Sequence, residues 1–152
     1  MKKRTKTPRK RSAKKRNLGR YASSIEKYCA TQLKEHKISF DYEEHTFELM
    51  EKFNYPNKYF KMTPKRKDMA DRTGRVVLPI KYTPDFVGKD HKWIIDTKGY
   101  LPSHHDFSMR WKLFLHYLVG IKSDYILFIA RNSSQVDQAI QEIKKSITDG
   151  EI

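Results

Sequence analysis

A strand that shows one face to water alternates apolar and polar residues, but Trp93-Ile94-Ile95 does not. A short run that is apolar on both faces reads as the centre of a sheet covered on both sides. Downstream, Met109, Trp111, Leu113, Phe114, Leu115, Tyr117 and Leu118 predict a helix over 107–119, apolar nearly all round and well buried, that stops at Gly120. Residues 125–130 then read as a short buried strand. A helix between two strands of one sheet makes those strands parallel neighbours. The chain is therefore expected to fold as an α/β protein, a mixed β-sheet flanked by helices on both faces.

The remaining elements fit around that centre. Ile25, Tyr28, Cys29 and Leu33 form one apolar stripe of a helix over about 24–37, with Ser23 and Glu26 in capping-box spacing. Residues 38–45 alternate, with Ile38, Phe40 and Tyr42 on one face and Ser39, Asp41 and Glu43 on the other. Residues 76–80 and 81–87 are strand-like, and Pro79 marks an edge or a break. Ser133 or Ser134 is expected to cap a last helix carrying Val136, Ile140, Ile143 and Ile147 on one side.

Residues 51–75 break the pattern. They mix aromatics with Lys and Arg, hold two prolines and a glycine, and predict a long excursion from the core. Tyr55, Tyr59 and Phe60 suit nucleic-acid stacking, a small subdomain or a dimer contact equally well.

At 152 residues the chain is one domain in size. Its formal net charge of +14 is uneven. Residues 1–20 hold eleven Lys or Arg and no acid, so about +3 remains for the rest. So basic and apolar-poor a segment predicts a tail without a fold of its own. Lys14, Lys15, Arg16 and Arg20 are suited to neutralising DNA phosphates. A solubilising or nuclear-import tail has the same composition. No apolar stretch follows the charges as in a secretion signal, and none is long enough to span a membrane. With Cys29 as the one cysteine, an internal disulfide is impossible. The expectation is a soluble, intracellular, cytoplasmic protein with no membrane partner.

The chemistry gathers where the central strand ends. Asp96 and Lys98 are two apart and share a face, while Thr97 points away. Gly88-Lys89-Asp90 supplies a turn that returns the chain past Asp85, so Asp85 and Asp96 can come from adjacent antiparallel strands. Two carboxylates suit a hard divalent cation. A lysine beside them is placed to orient water or to meet charge developing on a phosphate. Restriction-type nucleases assemble phosphodiester-cutting sites in this way. The alternative is an exposed Asp96–Lys98 surface pair at a strand end.

Ser24-Ile25-Glu26 through Phe40-Asp41-Tyr42-Glu43-Glu44, then Tyr82-Thr83-Pro84-Asp85-Phe86, then Ile95-Asp96-Thr97-Lys98-Gly99 resembles the phage endonuclease I family. Those are the Holliday-junction-resolving nucleases of T-odd phages. The resemblance covers about residues 20–45 and 80–134. It implies a restriction-endonuclease-like core and metal-dependent cutting of branched double-stranded DNA. The implied metal is Mg²⁺, with Mn²⁺ as a substitute. It also implies a homodimer, intertwined in that family, and the host cell cytoplasm if the chain is phage-encoded. Carried over by position, Asp85 and Asp96 would be metal ligands with the Thr97 carbonyl as a third, and Lys98 the catalytic lysine. Glu26 would serve a second metal position, and Asp41 a further acidic one. The family usually has Glu where this chain has Asp96 and Asp41, and residues 51–75 exceed the connection that bridges two subunits there.

Two other functions stay open. One is a restriction-like or transposase-type nuclease of duplex DNA, and the other a DNA-binding protein without enzymatic activity. Lys65, Arg66 and Lys67 suit backbone phosphates, although charge runs usually form a solvated face. His104 and His105 read as solvated loop residues, His116 as a core residue, and Cys29 as packing.

Overall fold

The computed structural model describes residues 18–64, 67–99 and 106–152. Helix α1 (Ser24–Glu35) begins at Ser23, whose hydroxyl accepts the Glu26 N–H at 3.2 Å. Strand β1 (Phe40–Tyr42) follows. Five short strands come next, β2 (Phe47–Met50), β3 (Phe53–Asn54), β4 (Phe60–Lys61), β5 (Ala70–Asp71) and β6 (Val76–Val77). The chain then forms β7 (Ile80–Tyr82), β8 (Phe86–Gly88), β9 (Trp93–Thr97), α2 (Phe107–Gly120), β10 (Ile126–Ala130) and α3 (Ser133–Asp149).

The principal sheet has the order β1-β8-β9-β10. β8 runs antiparallel to both β1 and β9, and β10 lies parallel to β9, as the helix between them requires. All five residues of β9 are buried. Cys29, Leu33, Tyr42, Phe86, Trp93, Ile95, Val136 and Ile140 form a core under α1 and α3. Ile94 and Val87 point the other way, to Phe114 and Leu118 of α2. The fold of the described residues is thus mixed α/β with three helices and a mixed sheet, apolar on both faces at its centre.

Several expectations are corrected. Among its described residues α2 buries only Phe114 and Leu118. Met109, Leu115 and Val119 are exposed, because a single helix covers this face of the sheet and nothing described packs behind it. His116 is exposed on that helix rather than part of the core. β10 is an edge strand, so most of it is half-buried. The cap of α3 is Asn132, whose side chain accepts the Gln135 N–H at 2.9 Å, in place of Ser133 or Ser134.

The excursion at 51–75 belongs to a two-stranded arm. β2 pairs with β7, β3 with β6 and β4 with β5, each antiparallel and nested inside the last. Phe53, Phe60, Met62, Met69 and Leu78 are exposed along it. Pro79 falls in the break between β6 and β7, where no ladder N–H is required.

Candidate active site

Phe86 pairs with Ile95 and Val87 with Ile94, so the next step along the hairpin sets Asp85 across from Asp96. Both acids are buried, Asp96 almost completely. Each is held by specific donors. The Thr97 N–H and the Thr97 hydroxyl both donate to Asp85 Oδ2 at 2.7 Å. The Tyr82 hydroxyl donates to Asp96 Oδ2, and the Lys98 ammonium donates to Asp96 Oδ1. Tyr82 is aimed by stacking on Phe114, with ring centroids 4.5 Å apart. Lys98 stands 5.0 Å from the centre of the Phe107 ring, a cation over an aromatic face.

Gly88 makes the hairpin possible in a particular way. A Cβ there would collide with the His91 carbonyl and the Trp93 indole. The close approach lets Trp93 fill the core immediately beneath the turn.

The electrostatics follow from burial and from the like charge of the two acids. Burial, then the charge on Asp96, pushes the Asp85 carboxyl up to about 7, against the opposing pull of Lys98 and the Thr97 hydrogen bonds. Burial and Asp96 likewise push the Tyr82 hydroxyl up, which keeps it a donor. With both acids ionised, one lysine leaves this cluster one negative charge in excess. Oxygen donors and surplus negative charge fit a hard divalent cation.

Glu26 and Asp41 are each held by other partners. Among the described residues, no three His, Cys, Asp or Glu gather as a metal-holding group. Glu26 Oε2 accepts the Ala22 N–H at 2.8 Å and the Tyr42 hydroxyl at 2.5 Å, the helix-capping position its spacing with Ser23 predicts. Burial pushes its carboxyl up, but hydrogen bonds from Tyr42, Ser23 and Ala22 outweigh that and leave it lowered. Burial above all, then the charges of Asp85 and Glu26, raises the Cys29 thiol far above its ordinary value, so it is an inert packing group. Asp41 points away from Phe40 and Tyr42 as the alternation predicts, but its oxygens meet Lys89 and His45, each at 2.9 Å.

Of the proposed DNA contacts, Arg20 lies over the Tyr42 ring at 5.2 Å and Lys67 is exposed on the arm. Lys14, Lys15, Arg16, Lys65, Arg66, His104 and His105 lie outside the described residues. Tyr82 was missed as a site residue. Its one sequence signal is a tyrosine three positions before a buried acid, where a phenol needs a polar partner.

No family model, no curated protein and no solved structure matches this chain. Among the described residues no helix is long and apolar enough to cross a membrane.

Proposed function

We propose that this chain is a Mg²⁺-dependent, structure-selective DNA endonuclease that cuts four-way and other branched junctions, built on a restriction-endonuclease-like core and acting as a homodimer. One observation carries the reading: Asp85 and Asp96 face each other from adjacent strands with Lys98 in contact. A protein that only binds DNA has no use for two buried, mutually repelling carboxylates, which cost stability unless a cation joins them.

Asp85 and Asp96 would hold the metal, with the Thr97 carbonyl as a third donor and Glu26 serving a second position. Bound Mg²⁺ supplies Lewis acidity toward the scissile phosphate and a more acidic water. The protein's own residues divide the remaining work. Thr97 fixes Asp85, Tyr82 fixes Asp96, and Lys98 presents an ammonium that can orient water or meet charge developing on phosphate. The choice of branched DNA rests on the motif resemblance, and affinity for DNA on the surplus of basic residues.

The test uses an end-labelled four-way junction and the matching linear duplex, each with Mg²⁺ or with EDTA. Paired, metal-dependent nicks near the branch point with the duplex spared are expected. Cutting of the duplex would move the reading to a restriction-like or transposase-type nuclease. Tight binding without cleavage in any divalent metal would overturn nuclease activity altogether.

A further inference from the structure

Arg72 and Arg75 sit side by side on the arm, and no described residue gives either of them an ion pair. Their main chain is well fixed. The Arg72 N–H donates to the Tyr59 carbonyl at 2.7 Å and the Arg75 N–H to the Arg72 carbonyl at 3.0 Å. Gly74, at φ 70°, provides the left-handed step that closes this turn. Asp71 accepts the Thr73 N–H at 2.8 Å and feels the charge of Arg75, but it stands outside ion-pair distance of either arginine. Arg72 Nε is shielded from solvent and has no hydrogen-bond partner among the described residues. A buried donor without an acceptor is uncommon in a folded chain.

Two clefts meet at these arginines. One, of about 510 Å³, is lined by Thr63, Pro64, Met69, Asp71, Arg72 and Arg75. The other, of about 470 Å³, has Tyr59, Lys61, Arg72, Arg75 and the apolar edge of β6. The Tyr59 ring packs edge-on against Tyr55 at 6.3 Å, so an aromatic face is held beside three cations.

We propose that Arg72, Arg75 and Lys61 form a second site, which binds backbone phosphates of DNA, with Tyr59 beside it as a stacking surface. The proposal rests on the nuclease reading for its substrate class and extends it to the arm, on strands other than those that carry Asp85 and Asp96. Guanidinium groups bind phosphate through paired N–H donors, and both arginines line the two clefts. The aromatic face makes a polynucleotide a better occupant than a free anion.

The test is binding of a fluorescent four-way junction and of its duplex, in EDTA so that nothing is cut, across a salt series. Each phosphate contact contributes about 0.9 to the slope of log affinity against log salt. The Arg72→Gln/Arg75→Gln variant is expected to lose about two from that slope and to bind about tenfold or more weakly near 0.15 M salt. The Arg72→Lys/Arg75→Lys variant, which keeps the charge, should retain the slope. If the double glutamine variant fails to fold, Arg75→Gln alone should lose about one. A slope and affinity equal to wild type overturn the site, as does a change in sedimentation with DNA binding untouched. The two proposals fail separately. Wild type that cuts junctions while the variant binds normally removes only the arm site, whereas a lost slope in a protein that cuts nothing removes only the nuclease.

Discussion

Thr97 gives both its backbone N–H and its hydroxyl to one oxygen of Asp85, at 2.7 Å each. That fixes Oδ2 and turns Oδ1, which accepts no hydrogen bond among the described residues, into the free donor of the pair. Thr97→Val keeps the shape and removes one of the two bonds. Groups that orient a metal ligand typically contribute ten- to a hundredfold in affinity. Calorimetric titration with Mn²⁺ should therefore show about tenfold weaker binding at nearly unchanged thermal stability.

Asp85 sets a pH dependence with a definite sign. Its carboxyl rises from 3.8 to about 7 on folding, first through burial and then through the charge of Asp96. The neutral form is the one the fold prefers, so its contribution to stability is present below pH 3.8 and lost as pH climbs through about 7. Asp85→Asn, which can still accept from Thr97, removes that loss. Melting curves without divalent metal should show the variant more stable than wild type at pH 8, with the gap closing toward pH 4. A gap that widens on acidification would contradict the assignment.

Lys98 neutralises Asp96 and lowers Asp85, so its removal acts on both acids. For Lys98→Ala, single-turnover cleavage of a junction in Mg²⁺ should fall about a hundred- to a thousandfold, the usual effect of losing one charge-stabilising donor. Junction binding in EDTA should be close to wild type. Equal losses in binding and cutting would mean that Lys98 contacts DNA without serving the chemistry.

Gly88 stands against the His91 carbonyl and the Trp93 ring with no room for a methyl group. Gly88→Ala must push the Trp93 indole out of the core or open the hairpin. Overpacking of this kind costs about 1–3 kcal/mol, visible as a lower midpoint in urea. Because the same hairpin carries Asp85 and Asp96, metal affinity should fall with it.

The sequence made the centre of this fold readable because its signals are local. Trp93-Ile94-Ile95 announces a strand buried on both faces, and the helix after it dictates the parallel partner. Period-two spacing put Asp96 with Lys98, and the turn put Asp85 opposite them. The arm was harder, since three of its strand pairs are joined only across long stretches and β3 through β6 are two residues each. The exposure of Met109 and Val119 could not be seen either, because an apolar helix looks the same whether one side or both are covered. Tyr82 belongs to a different small sheet from Asp96, and their contact exists only once β7 and α2 have packed together.

Asp85 and Thr97 are twelve residues apart, and the whole carboxylate–lysine cluster hangs on the single hairpin formed by β8 and β9. Closing so short a loop takes little entropy and little time. The hairpin alone sets the register of the two acids, and α2, β10 and α3, later in the chain, supply much of what buries them. The carboxylate–lysine cluster is in that sense a portable piece of chain, with the larger α/β body serving to bury it.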